Sequence, residues 1–448
     1  MQHEIGTFNM RLVVSVTIFL CLALIFLEVP APPHIDGIIW VVSSGVVLLG
    51  VLGLKYYSTE HTEQFDFWQN KLLFMAGIYL LWFLITAAIG LLHHTPPLQV
   101  LRAIGPYILF APLIFCAWMP KQVFRINDIV LILIAIGILQ AFYHLYLYFC
   151  VGNFDREQVF GTLCGRITII DNRASVPFCL ATAILPLAYL FKTKKVWVFV
   201  GAALIAVLGL VATMTTLTRA FVFSVLTGWL VYFCMVLTYG NIILKENRSI
   251  LFAKIMAFLL IVVLVLAGLY QSKVFRAMEQ ALIWRGGHFA QVLSPQDLAQ
   301  MKAAGDIGAD YSTGRVMEWE GAVNKWTEAS YPGWLFGIGA GTSFKLSNGQ
   351  QQTYVHNLLI YSLLYGGIIG LIIVLSFWTI LFFTVLKQAL QSEESLYLGF
   401  FALLASLFCY AELFAVHKLL SFNAMLFLII ACTLMLNTST KKVLSGVQ

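Results

Sequence analysis

Charged side chains are scarce in this sequence. Only 11% of its 448 residues are Asp, Glu, Lys or Arg, less than half of the roughly 25% that is usual in soluble domains. By contrast, 60% of the residues are hydrophobic and the mean hydropathy is +0.88. This composition excludes a soluble globular protein and indicates an integral membrane protein.

Several sequence patterns are also absent. There is no C-x-x-C, H-E-x-x-H or paired-aspartate pattern, so no bound metal is predicted. No repeat or low-complexity linker divides the chain, so residues 1–448 are predicted to form a single membrane domain. The net charge of +6 is spread over membrane flanks and not over a basic helix, which excludes a nucleic-acid partner. No Lys-Ser/Thr follows the glycine-rich segment 332–342, so no nucleotide cofactor is expected.

Apolar runs close to the ~20 residues that cross a bilayer predict about twelve transmembrane helices. They lie at about 12–28, 37–54, 72–92, 103–119, 128–151, 174–191, 196–214, 220–239, 250–270, 357–386, 396–416 and 419–437. An even number places both termini on one side, and the lysine-rich short loops indicate that this side is cytoplasmic. Residues 271–356, between the ninth and tenth helices, then form a large periplasmic loop. The predicted fold is an all-α membrane protein.

Two helices are predicted within this loop. The first, at 294–305, begins with Ser-Pro, a pattern typical of a helix start. The second, at 312–326, has an apolar stripe that includes both tryptophans and leaves Arg315 and Glu318 outside it. After these helices, Gly339 and Gly341 belong to a glycine-rich segment. It could bring backbone N–H groups close to an anion or form only a tight connection.

Arginines concentrate on the predicted outer side. Eight of the eleven lie there: Arg102, Arg156, Arg166, Arg173, Arg219, Arg276, Arg285 and Arg315. A guanidinium group suits bidentate binding of phosphate or carboxylate. Arg219 lies at the mouth of the eighth span, and Arg166 and Arg173 precede the sixth. These side chains bind an anionic ligand, or they pair with nearby acids and lipid headgroups.

His356 follows the glycine-rich segment and begins the tenth span on this arginine-rich side. A neutral imidazole there could accept a proton from a hydroxyl while arginines hold a departing diphosphate. Glu412, near the outer end of the eleventh span, would orient His417, Lys418 or a site arginine. The predicted chemistry is glycosyl transfer from a lipid diphosphate.

The sequence leaves open whether Cys150 and Cys164 form a disulfide bond.

Four segments in this region resemble the conserved block of the O-antigen ligase and O-antigen polymerase superfamily. They are "STGRVMEW" (312–319), "FGIGAGT" (336–342), "YVHN" (354–357) and "YGGIIGL" (365–371). Two further segments are similar in a looser way, "TLTRAF" (216–221) and "GRITIIDNRASVPF" (165–178).

The resemblance implies a GT-C-like glycosyltransferase of the bacterial inner membrane, with its active site facing the periplasm. Its donor would be a glycan linked to undecaprenyl diphosphate, and it would need neither a metal nor another cofactor. His356 would be the catalytic residue, and the diphosphate or acceptor would be bound by arginines, at positions Arg219, Arg315, Arg166 and Arg173. Asn357, Gly339 and Gly341 match the same motifs as supporting residues. Tyr365 departs from the family pattern, because many members have Glu there.

The acceptor stays open among three possibilities. We expect an O-antigen ligase of lipopolysaccharide biosynthesis, which would use lipid A-core. A polymerase would use another lipid-linked repeat, and a protein O-oligosaccharyltransferase would use a Ser or Thr. In each case His356 would deprotonate the acceptor, and the anomeric carbon would be inverted. A lipid-linked oligosaccharide flippase is an alternative of another class, and a metal-dependent transferase using Glu28 and Asp36 is a further one.

Overall fold

The computed structural model describes residues 2–27, 35–60, 66–150, 176–215, 219–270, 307–346, 349–413 and 419–435. These residues are almost entirely helical. In chain order the helices are α1 Gln2–Leu27, α2 Ile35–Glu60, α3 Phe67–Leu92, α4 Pro97–Phe110, a 3₁₀ helix Ala111–Trp118, α5 Ile126–Cys150, α6 Val176–Lys192, α7 Val196–Thr215, α8 Arg219–Ile243, α9 Arg248–Tyr270, α10 Ile307–Thr327, α11 Tyr331–Phe336, α12 Leu358–Ser392, α13 Ser395–Leu413 and α14 Leu420–Leu434. Two short antiparallel strands, β1 Phe344–Lys345 and β2 Gln351–Gln352, form a hairpin after α11.

The described helices are those of a multi-pass membrane protein. Among the described residues, nine segments are long and apolar enough to cross a bilayer, in α1, α3, α4 with the 3₁₀ helix, α5, α7, α8, α9, α12 and α13. Three shorter apolar helices, at Trp40–Tyr56, Val176–Lys192 and Leu420–Leu434, lie where three further spans are predicted. The all-α fold is thereby confirmed, and the count of twelve spans stays a prediction.

The predicted helix at 312–326 is confirmed as α10, which begins earlier, at Ile307. The predicted helix at 294–305 lies outside the described residues, as do Arg166 and Arg173. Cys164 and the side chain of Cys150 are also outside them, so the possible disulfide is not tested.

Aromatic and hydroxyl side chains hold the central helices together. Tyr79 of α3 stacks on Phe377 of α12, with ring centroids 4.2 Å apart. On the other side of the bundle, the Ser406 hydroxyl of α13 donates to the Ser224 carbonyl of α8 at 2.7 Å. Both contacts bury a side chain against a neighbouring backbone or ring, which fixes the pairs α3–α12 and α8–α13.

Ion pairs connect helices at one end of the bundle. Arg11 of α1 and Asp128 of α5 are paired at 2.6 Å, and Lys387 near the end of α12 lies 3.1 Å from Asp66. Asp66 also caps α3, because its Oδ1 accepts the N–H groups of Trp68 and Gln69 at 2.7 and 2.9 Å. Burial alone would raise the pKa of Asp66, but the hydrogen bonds from the Gln69 N–H, Lys387 and the Trp68 N–H outweigh it and hold the pKa below its usual value.

Candidate active site

A carboxylate and an imidazole meet at the other end of the bundle. Glu318 lies on α10, and its Oε2 is 2.7 Å from Nδ1 of His356. Its Oε1 accepts the backbone N–H of His356. The Glu318 side chain is 3% exposed and that of His356 is 18% exposed. A neutral imidazole that donates Nδ1–H to a carboxylate has its basic lone pair on Nε2, so the ring is oriented and that nitrogen is the one that accepts a proton.

Packing against the loop after α11 buries the Glu318 face of α10. Ala322, one turn after Glu318, is fully buried, and a Cβ on Gly321 would lie 2.7 Å from the Lys345 carbonyl oxygen. Trp319, on the predicted apolar stripe, is only half-buried. Trp319 and Trp326 of the predicted stripe pack against the core, and Glu318, outside the stripe, is the candidate functional residue that sequence reasoning missed. The signal for it was the small pair Gly321-Ala322, which follows Glu318 by about one helical turn.

Asn357 and Glu412 connect the start of α12 to the end of α13. The Asn357 Oδ1 accepts the N–H of Ile360 at 2.8 Å and so caps α12. Its Nδ2 donates to the Glu412 carbonyl oxygen at 3.1 Å. Within the described residues, Oε1 of Glu412 is buried without a hydrogen-bond partner. His417 and Lys418, its predicted partners, lie outside those residues. The cap fixes the position of His356, which immediately precedes it.

The glycine-rich segment is a tight connection. Gly367 interrupts α12 with a φ of 64°, which frees two carbonyl groups of the helix. The N–H groups of Ile338 and Gly339 donate to these carbonyls, on Leu364 and Tyr365, at 3.0 and 3.2 Å. The N–H of Ala340 donates to a carbonyl of α3 at 2.8 Å. These three N–H groups are therefore not available to an anion, and that hypothesis is wrong for them.

Gly339 and Gly341 allow two helix ends to approach this connection closely. Their φ values are +85° and +79°, which favour glycine. A Cβ on Gly339 would lie 2.2 Å from the Gly90 nitrogen of α3, and one on Gly341 would lie 3.0 Å from the Gln99 backbone of α4. Both residues thus support the site by packing. Neither needs to contact a ligand for this role.

Tyr365 has a packing role at the position where the resembling family often has Glu. Its side chain is 2% exposed, and its hydroxyl donates to the Thr342 carbonyl oxygen at 3.0 Å. The Thr342 side chain in turn lies 3.2 Å from the Thr95 hydroxyl. Tyr365 therefore fastens the glycine-rich connection to α12.

Two of the predicted arginines lie on described helices, one on α8 and one on α10. Arg219 is the first residue of α8, and Phe221, two residues later, contacts the Tyr410 ring of α13 at 4.9 Å. The start of α8 therefore lies at the same end of the bundle as Glu412. Arg315 lies on α10, three residues before Glu318, which is about one helical turn. The described side chains do not include those of Arg219 and Arg315.

Within the described residues, no group of three or more His, Cys, Asp or Glu side chains could hold a metal ion. The chemistry available there is proton transfer by His356 supported by Glu318.

No protein-family model matches the sequence, and no curated protein matches it.

Proposed function

We propose that this protein is a membrane glycosyltransferase that moves O-antigen polysaccharide from undecaprenyl diphosphate to lipid A-core, an O-antigen ligase of lipopolysaccharide biosynthesis. The observation that carries the proposal is the contact between Glu318 and His356, 2.7 Å between Oε2 and Nδ1. A buried carboxylate behind an imidazole is the arrangement that a general base needs, because it orients the ring and stabilises the cation that forms. The substrate class, a glycan linked to undecaprenyl diphosphate, is inferred from the resemblance of the motifs around His356 to the O-antigen ligase and O-antigen polymerase superfamily.

In the proposed reaction, Nε2 of His356 takes the proton of the acceptor hydroxyl. The hydroxyl oxygen attacks the anomeric carbon from the face opposite the diphosphate, and the bond from that carbon to the diphosphate oxygen breaks. The configuration is inverted. The diphosphate leaves bound to Arg219 and Arg315, with Arg166 and Arg173 as further ligands. Neither a metal nor another cofactor takes part.

The proposed location is the bacterial inner membrane, with twelve spans, both termini in the cytoplasm and the active site facing the periplasm. The lysine-rich short loops support this orientation. The ion pair between Lys387 and Asp66 lies at the end of α12 and α3 that is remote from His356. Residues 271–356 would form the periplasmic loop.

A flippase is the alternative of another class. Such a transporter needs charged groups along a central cavity to carry a diphosphate through the bilayer. Of the described Asp, Glu, Lys and Arg residues, Glu318 is the buried one, and it lies beside His356 before α12 begins. This distribution favours transfer chemistry at one end of the bundle.

The test is an in vitro transfer assay with purified protein and undecaprenyl-diphosphate-linked glycan, with and without lipid A-core. We expect glycan on lipid A-core with the wild type, and loss of this product with His356→Ala and with Arg219→Ala. Longer lipid-linked chains without a core acceptor would replace the ligase with a polymerase, and transfer to a protein Ser or Thr would replace it with an oligosaccharyltransferase. Undiminished transfer by His356→Ala would exclude the proposed base.

A further inference from the structure

Two cavities adjoin along α10, away from the Glu318–His356 pair. The first has a volume of about 530 Å³ and is enclosed by the ends of α3 and α10, by α11 and by the glycine-rich connection. The second has a volume of about 570 Å³ and lies between α10 and the β1–β2 hairpin. Neither is lined by Glu318 or His356, and both have the size of a small-molecule site. Lys325 and Glu328 line both cavities, and we call the two cavities together the α10 site.

The first cavity has the surroundings of a membrane surface. Its apolar wall includes Leu92 and Phe336, which are 77% and 42% exposed. Next to it on α11, Tyr331 and Trp334 are 72% and 44% exposed. Exposed aromatic side chains at the end of an apolar helix are typical of the interface between lipid and water. The cavity therefore opens where lipid headgroups lie.

Two tryptophans hold this cavity in shape. The Trp326 Nε1 donates to the Trp334 carbonyl oxygen at 3.2 Å, and the Trp334 Nε1 donates to the Thr327 carbonyl oxygen at 3.1 Å. These bonds fasten the six-residue helix α11 to the end of α10. The α10 site is thus preformed, which lowers the entropy cost of binding.

The charges of the α10 site have both signs. Lys325 and Glu328 lie one turn apart, and neither is paired with another residue that the structure describes. In the first cavity, the Nδ1–H of His93 donates to the Ile338 carbonyl oxygen at 3.1 Å, which holds the ring in the cavity wall. The second cavity adds one charge of each sign, Glu320 and Lys345, together with amide and hydroxyl side chains. The site therefore complements a ligand that carries a negative and a positive group a few atoms apart.

We propose that the α10 site binds phosphatidylethanolamine from the surrounding membrane. The acyl chains lie along Leu92 and Phe336, the phosphate contacts Lys325, and the ammonium group contacts Glu328. An ammonium group offers three hydrogen-bond donors to a carboxylate. Phosphatidylglycerol lacks this cation, so Glu328 favours phosphatidylethanolamine over it. The proposal is independent of the transferase reaction.

The test is native mass spectrometry of the full-length, delipidated protein with an equimolar mixture of phosphatidylethanolamine and phosphatidylglycerol. We expect the wild type to retain phosphatidylethanolamine with about a fivefold preference, the ratio that a partly exposed ion pair of about 1 kcal/mol supports. Glu328→Gln should abolish the preference, and Lys325→Gln should weaken the binding of both lipids. Glu328→Lys should reverse the preference, which keeps the test informative if one variant folds poorly.

Matched controls are Glu394→Gln and Lys194→Gln, whose side chains are exposed outside the α10 site. Both should bind lipid like the wild type. Equal retention of the two lipids by the wild type, or an unchanged preference in Glu328→Gln, would overturn the proposal. Displacement of phosphatidylethanolamine by equimolar lipid A-core would also overturn it and would assign the site to an acceptor.

Discussion

Glu318→Gln is the substitution that most directly separates a positioned base from a structural contact. It preserves the size of the side chain and one oxygen acceptor, but it removes the charge that lies 2.7 Å from Nδ1 of His356. A hydrogen bond to a charged group contributes about 1.5–3 kcal/mol, against about 0.5–1.5 kcal/mol for a neutral one. The imidazole becomes a cation as it takes the acceptor proton, so the loss is expected to be about 1–3 kcal/mol in the transition state. That corresponds to a kcat lower by roughly 5- to 150-fold.

The assay measures initial rates of glycan transfer over a range of donor concentrations and pH values. We expect a lower kcat with a KM for the donor within about twofold of the wild type, because the buried Glu318 carboxylate faces His356 and not the donor. Glu318→Asp should recover part of the rate because it restores the charge. Glu394→Gln serves as the control for removing a carboxylate, since Glu394 is exposed just before α13.

Thermal unfolding of the same variants distinguishes a loss of catalysis from a loss of folded protein. The Glu318 carboxylate also accepts the His356 backbone N–H, so some loss of stability is expected with Gln. If kcat per folded molecule stays within about twofold of the wild type, the positioning role is refuted. The contact would then serve only to hold α10 against the start of α12.

The remaining predictions concern the elements that hold the site in place. Gly339→Ala should lower the free energy of unfolding by about 2–4 kcal/mol, because strain at positive φ adds to a clash with the Gly90 backbone. Asn357→Ala should cost about 1 kcal/mol through the lost cap, and Asn357→Asp less. Asp66→Asn removes a carboxylate whose pKa is lowered in the folded state. Its effect, less than about 1 kcal/mol after solvent screening, should be full at pH 7 and shrink as the pH falls below about 4, because a lowered pKa stabilises only the ionised form.

Thermal unfolding in detergent measures all three effects. Gly349→Ala is the matched control for Gly339→Ala, since it has the same φ of +85° and no heavy atom within 4 Å of the added Cβ. Equal losses at the two glycines would contradict the clash. A stability difference between Asp66→Asn and the wild type that stays constant down to pH 3 would contradict the assigned pKa direction.

Local patterns were sufficient for the helices and for part of the site. Apolar runs predicted the apolar helices that the structure describes, because each run must satisfy its own backbone in lipid. Helical spacing predicted α10, and the position of His356 before a span placed it at the start of α12. The arginine roles stay predictions, since the side chains of Arg219 and Arg315 are not described.

The contacts between distant segments could not be predicted in this way. The stripe on α10 predicted that its tryptophans pack at the membrane interface or the bundle top, and nothing in it indicated that Glu318 is buried. The segment that covers Glu318 comes only after α11. The glycine-rich segment also allowed the prediction of an anion site. The N–H groups of Ile338 and Gly339 instead donate to carbonyl groups of α12 that the kink at Gly367 frees. Neither local sequence indicates which distant residues it contacts, His356 for Glu318 and the carbonyl groups of α12 for the glycine-rich segment.

By itself, then, the sequence determined that this is a helical membrane protein with a histidine before one of its spans, because hydrophobicity acts on each helix locally. Only the tertiary structure decided that Glu318 stands 2.7 Å from that histidine and that Tyr365 fastens the connection to α12. Those decisions depend on how α3, α10 and α12 pack. A carboxylate is buried only where the packed chain supplies its hydrogen-bond donors, and that supply comes from residues far apart in the chain.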